Sequence, residues 1–269
     1  MKLPDLWGVI NLTSDSFYRG SRATADEAVR RAAQMFEDGA AVVDAGAEST
    51  RPGALDIPAE QQLELLIPFV AGMRHSLGDA VLQKISIDTR DIRVMQRMVE
   101  AGVGFINDVS GGNPEIYRLI AESGVGYVLM HTRGTPQDMQ KAPVYTDVVA
   151  EVEAFLLERS AALQAAGMPA EKIIWDTGIG FGKTPEHNLR LIAAHPRFRA
   201  HGYRVLAGVS RKSFIGKILG LERPEDRLTG TLAVQAYLTL RGCDILRVHD
   251  VKEMAQVLQV MGAISEHEL

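Results

Sequence analysis

The feature that most constrains this chain is one unit repeated eight times: a short apolar, β-branched run, then glycine or polar residues, then a longer stretch of helical periodicity. The strand segments fall at residues 7–12, 41–45, 84–87, 104–106, 126–130, 173–175, 204–208 and 245–248. The clearest amphipathic helices between them span 24–38, 59–77, 147–166 and 226–241. Strands that alternate with helices pair in parallel, and eight such units in roughly 250 residues is the usual size of a closed barrel. The predicted fold is therefore α/β, a (β/α)8 barrel occupying residues 1–269 as a single domain, with its working site at the C-terminal ends of the strands. An open doubly wound sheet is the competing arrangement, but no GxGxxG follows the first strand.

Glycines mark the helix ends. Gly39, Gly102, Gly124, Gly167, Gly202 and Gly242 each stand between a helical stretch and the next strand, where a left-handed cap excludes a Cβ. Composition excludes several kinds of partner. The formal net charge is −5 and no run of Lys or Arg is long enough to make a basic stripe, so a nucleic acid is not an expected partner. Cys243 is the only cysteine, which rules out an internal disulfide and fits a reducing compartment. The first residues do not read as a signal peptide and no stretch is apolar enough to span a bilayer, so the expected location is the cytoplasm, without membrane attachment.

The strand exits carry the chemistry. Taken in order they are Asn11; Asp44 with Glu48; Asp88; Asn107 with Asp108; His131; Asp176; Ser210 with Lys212; and Arg247 with His249. In a barrel these loops converge on the axis, while the opposite rim serves stability. A plainer reading stands beside this one, because Asp, Asn or Ser ahead of a helix is often only an N-cap. Sorted by charge, Asp88, Asn107 and Asp176 offer acceptors to a flat ring rich in N–H donors. Asn11, Arg247 and His249, on first and last strands that adjoin when a barrel closes, suit an anion and a hard cation. The two groups together predict a flat basic heterocycle bearing a phosphate-type group.

The same residues lie in longer motifs. GVINLTSDSF (8–17), DAGAESTRPG (44–53), SIDT (86–89), INDVSGG (106–112), LMH (129–131), GIGFGKTPEHN (178–188), SRKSFIG (210–216) and RVHDV (247–251) resemble, in order and over nearly the whole chain, the motifs of the dihydropteroate synthase family. The resemblance implies a (β/α)8 enzyme of folate biosynthesis that joins dihydropterin hydroxymethyl diphosphate to 4-aminobenzoate and releases diphosphate with Mg²⁺ present. Carried over by position, Asp88, Asn107, Asp176 and Lys212 would bind the pterin, with Met130 and Phe181 against its faces. Asn11 would ligate Mg²⁺, Arg247 and His249 would hold the diphosphate, and Phe17, Thr50, Arg51, Pro52, Ser210 and Lys212 would form the 4-aminobenzoate side. Lys212, Arg247, His249 and Asp88 would be the catalytic set. A homodimer is also implied.

Departures from the family pattern cluster in two places. Ser14 stands where proline is usual, and Tyr18, Arg19 and Gly20 replace small and acidic residues in the first loop. Ala45, Ala47, Thr132 and Thr177 differ beyond the second, fifth and sixth strands. Two other functions share part of the pattern. A pterin-dependent methyltransferase barrel would use the Asp and Asn acceptors but has no need of an Arg247–His249 clamp, and a non-catalytic pterin-binding paralogue would tolerate the altered first loop. The run Met254, Val257, Leu258 and Met261 has helical spacing and reads as a core or subunit face, and the histidines outside the motifs lack the paired spacing of zinc ligands.

Overall fold

The computed structural model describes residues 1–12, 22–48, 57–134 and 143–267, with the side chains of residues 22–24 excepted. Eight parallel strands close into a barrel in chain order: β1 (Asp5–Asn11), β2 (Val42–Gly46), β3 (Ile85–Asp88), β4 (Phe105–Asp108), β5 (Gly126–Met130), β6 (Ile173–Asp176), β7 (Arg204–Ala207) and β8 (Ile245–Val248). The helices between them are α1 (Arg22–Glu37), α2 (Ala59–Leu77), α3 (Ile92–Glu100), α4 (Pro114–Ser123), α5 (Val148–Ala165), α6 (Pro185–Ala193), α7 (His195–Arg199), α8 (Ser213–Leu219), α9 (Leu228–Leu240) and α10 (Val251–Ser265). The closing pair, β8 on β1, sets Trp7 opposite Arg247 and Gly8 opposite Val248.

Two apolar clusters follow from strand alternation. Outward-facing residues such as Ile10, Val43, Ile87, Ile106, Trp175 and Val205 pack under the helices in the larger core. Trp7, Val42, Val128, Ile174, Leu206 and Ile245, with Phe105 against them, fill the barrel axis. Side chains repeat on one face every second residue. The positions two residues beyond the axial plug therefore point inward one layer higher: Val9, Asp44, Asn107, Met130, Asp176, Gly208 and Arg247. An apolar floor and a polar layer above it thus come from a single period.

The elements agree with the alternation, with differences at the ends. Helix α2 and strands β5 and β8 have the expected limits. Strands β3, β4 and β6 run on to include Asp88, Asp108 and Asp176, because each charged residue still makes ladder contacts with the neighbouring strand. Helix α9 starts at Leu228, after a 3₁₀ turn at Pro224–Arg227 that takes up the first two positions expected to be helical. All six glycines expected at helix ends have positive φ; Gly124, at φ 70°, caps α4 with its N–H on the Ile120 carbonyl.

Candidate active site at the C-terminal rim

The polar layer is a connected set of charges. Arg247 crosses the barrel mouth, its Nε donating to Asp44 Oδ2 at 2.6 Å and its terminal nitrogen to Asp88 Oδ2 at 2.7 Å. Asp44 Oδ2 also accepts from Asn107 Nδ2 at 2.9 Å. Because a carboxylate only accepts, this bond fixes the amide, and Asn107 keeps its carbonyl oxygen for another partner. Asp44 is wholly buried, and Asp88, Asn107 and Asp176 are nearly so. The two groups sorted by charge are therefore not separate: Arg247 pairs with the carboxylates, because the closed barrel brings β8 across from β2 and β3.

Asp176 Oδ1 accepts from the Gly178 N–H at 2.7 Å. Only glycine permits that turn, since φ is 67° and a Cβ would stand 1.8 Å from the His131 carbonyl. Lys212 donates to the Ile179 carbonyl and lies over the Phe181 ring, 4.5 Å from its centroid. Gly208 adds no side chain to the mouth; a Cβ there would stand 3.8–3.9 Å from Asp176 Oδ2, Arg247 and Lys212 Nζ. Met130 is buried at the end of β5, and Asn11 is exposed at the end of β1. Ser210 and His249 meet directly, Oγ to Nδ1 at 2.9 Å, and the His249 N–H donates to the same hydroxyl at 3.2 Å.

The N-cap reading does not account for these residues. Caps are supplied instead by Asp91 on α3, Asn113 on α4, Asp147 on α5 and Thr184 on α6. Among the described residues, three of the buried polar atoms without a hydrogen-bond partner lie here, at Asp44 Oδ1, Ser86 Oγ and Asp88 Oδ1. Buried polar atoms of that kind are few in folded proteins.

Burial also moves the proton affinities. It raises the Asp88 carboxyl to about 7 against the pull of Arg247, with Asp44, Glu48 and Asp108 adding to the rise. Burial lowers the Lys212 ammonium to about 8 although Asp176 favours its charge. Asp176 is raised by burial, while Lys212, the Gly178 N–H, Arg247 and Lys183 favour its ionised form. Such opposed shifts in one cleft are typical of a working site.

One residue in this layer and one behind it are site members that the sequence does not single out. Asp44 was visible as a strand exit, but its link to Arg247, 203 positions away, depends on barrel closure. Lys183 lies buried behind the layer, its Nζ 3.0 Å from His131 Nδ1 and 3.0 Å from the Phe181 carbonyl. The only hint of it was its place in the glycine-rich GIGFGK run. His131, next to it, is held neutral, its proton affinity lowered to about 2 by burial and then by Lys183. Asp108 turns away from the axis to Ser110 and the Tyr127 hydroxyl, and Glu48 pairs with Arg90. Phe17, Thr50, Arg51 and Pro52 lie outside the described residues, as do Ser14, Tyr18 and Arg19 of the first loop.

Comparison with known proteins gives this constellation its context. A family model for pterin binding enzymes matches residues 7–249. A dihydropteroate synthase of Escherichia coli is 38% identical over 266 residues, covering 97% of this chain and 91% of that one. The Xanthomonas albilineans dihydropteroate synthase with 4-aminobenzoic acid superposes with a TM-score of 0.89 at 40% identity, covering 98% of this chain and 93% of that one. The same enzyme in complex with 7,8-dihydropteroate gives 0.85 at 36% identity, with 98% and 93% covered. The chain belongs to the dihydropteroate synthase family of pterin-binding enzymes and is a transferase of folate biosynthesis.

Proposed function

We propose that the rim of this barrel condenses 6-hydroxymethyl-7,8-dihydropterin diphosphate with 4-aminobenzoate to give 7,8-dihydropteroate and diphosphate. The observation that carries the reading is the buried layer in which Asp88, Asn107 and Asp176 offer acceptors beside Lys212 and Arg247. A pterin ring presents the matching N–H edge, and a charge-assisted bond to each carboxylate contributes about 1.5–3 kcal/mol. Met130 and Phe181 supply apolar faces for the ring. Arg247 and His249 receive the diphosphate. Phe17, Thr50, Arg51 and Pro52, on motif grounds, and Ser210 with Lys212 form the 4-aminobenzoate side.

In the reaction the aryl nitrogen forms a bond to the pterin methylene carbon as the carbon–oxygen bond to diphosphate breaks. An aryl amine is a weak nucleophile, so stabilising the departing anion lowers the barrier most, a role for Arg247 and His249. Positive charge developing on the methylene spreads into the ring, where Asp88 and Asp176 favour it. The amine releases its proton after the new bond forms, so Lys212, Asp88, Arg247 and His249 act electrostatically and no strong base is required. Arg247 and His249 answer the leaving diphosphate, a need that a methyl-transferring barrel lacks and a non-catalytic paralogue would not retain.

Mg²⁺ fits the donors present. The described residues hold no group of three or more His, Cys, Asp or Glu able to bind an ion, whereas Asn11 presents an exposed side chain at the end of β1. Mg²⁺ is commonly held by one or two protein oxygens and by substrate phosphates. Asn11 would be its protein ligand, and the ion would supply charge neutralisation to the diphosphate.

Residues 1–269 act as one domain, in the cytoplasm, as a homodimer. Among the described residues no helix is long and apolar enough to cross a membrane, and Cys243, the one cysteine of the sequence, is buried. A second copy would cover Ile218 on α8, Tyr237 and Leu240 on α9, and Val260 and Ile264 on α10, all large and exposed. The purified protein, given both substrates and Mg²⁺, is expected to form dihydropteroate and diphosphate in equal amounts. Folded protein that binds pterin and yields neither product contradicts the reading.

A further inference from the structure

Between two residues of the mouth, Ser210 and Lys212, the backbone takes a conformation that its residue type disfavours. Arg211 has φ 57° and is the only non-glycine residue with positive φ among the described residues. Such a conformation is disfavoured for any residue with a Cβ and persists only where the surroundings over-determine it. They do so here. The Arg211 N–H donates to Thr231 Oγ1 at 3.0 Å, and its carbonyl accepts from the Arg227 guanidinium at 3.0 Å. Its side chain turns away from the mouth, with Nε and one terminal nitrogen on the two oxygens of Asp250 at 2.8 and 2.6 Å. The other terminal nitrogen donates to the Pro224 and Glu225 carbonyls.

Asp250 is unusual in turn. It occupies the N-cap position of α10, where an aspartate ordinarily accepts from the first turn of the helix, yet its side chain makes no cap bond and both oxygens face Arg211. It directly follows His249, and His249 is itself bonded to Ser210. The β7–α8 loop and the β8–α10 loop are therefore tied twice: at the mouth by Ser210 with His249, and behind it by Arg211 with Asp250.

We propose that Arg211 and Asp250 are a positioning pair, which holds Lys212 and Ser210 in register with His249 and Arg247 so that the anion-binding side of the mouth is set before the substrate arrives. Neither residue touches substrate. The pair acts through its neighbours, a bidentate, half-shielded ion pair being one of the few side-chain contacts rigid enough for that. The inference rests on the assignment of Arg247 and His249 to the diphosphate.

Three variants test it: Asp250→Asn, which keeps shape; Arg211→Gly, which relieves the positive φ and removes the guanidinium; and the exchange Arg211→Asp with Asp250→Arg. Circular dichroism and melting establish that each is folded. Binding of inorganic diphosphate and kcat/KM for the pterin diphosphate are expected to weaken about tenfold in the two single variants. Binding of 6-hydroxymethylpterin, which lacks the anion, is expected to weaken less than diphosphate binding, because Asp88, Asn107 and Asp176 do not lean on the pair and, of the pterin residues, only Lys212 does. The exchanged pair is expected to recover part of the loss. Diphosphate binding equal to wild type in Asp250→Asn overturns the pair's role, as does an equal loss for pterin and diphosphate. If wild type itself fails to bind diphosphate, the reading of the site fails first, and the pair's role with it.

Discussion

Asp88 and Lys212 bring opposite charges into one buried space, and each is displaced toward neutrality, to about 7 and about 8. Ligand capture requires Asp88 ionised and Lys212 protonated. As pH falls through about 7 Asp88 gains its proton, and as pH rises through about 8 Lys212 loses one. The expected kcat/KM profile is a narrow bell with limbs near those values, since that parameter reports the free enzyme. A profile flat across that range, with an acidic limb at the ordinary carboxylate position, would show that burial does not raise Asp88 in the free enzyme. The types of these residues and their strand exits were legible in the sequence. Their mutual pairing was not, because Arg247 reaches Asp44 and Asp88 only after β8 has closed onto β1 and the axis is plugged below them.

At the scale of elements, alternation and caps explain both what was readable and what was not. Residues 59–77, 126–130 and 245–248 have the limits the sequence predicts, because a periodic or largely apolar run ends there at Gly78, His131 and His249. Asp88, Asp108 and Asp176 read as loop because charged residues rarely end a buried strand; here the ladder continues and alternation sends Asp88 and Asp176 inward and Asp108 outward. The helices are stopped and started by separate residues. Asn113 accepts from the Glu115 and Ile116 N–H groups at 2.9 and 3.1 Å. Its replacement by alanine is expected to destabilise the fold by about 1 kcal/mol, a fall of roughly 2–4 °C in Tm. An unchanged melting curve would mean that the first turn of α4 satisfies its donors without Asn113.

For the whole molecule, the barrel's closure joins two requirements, a dry floor and a charged mouth, in consecutive layers of the same strands. The helical shell adds a third, large apolar side chains exposed on α8, α9 and α10, of which Leu240 is 66% exposed. If they form a face that joins two copies, Leu240→Glu is expected to convert a dimer to a monomer in sedimentation at micromolar concentration; an unchanged dimer would place the contact elsewhere. The α9 part of this face did not stand out in the sequence, since α9 is apolar on nearly every side and periodicity alone does not say which side faces the sheet. The central claim is that the acceptor layer reads the pterin, and Asp176 tests it most directly. Replacing its carboxylate by the amide of asparagine keeps shape and removes one charge-assisted bond of roughly 2–3 kcal/mol. With 4-aminobenzoate saturating, kcat/KM for the pterin diphosphate is expected to fall about a hundredfold in Asp176→Asn; a value equal to wild type would contradict the account.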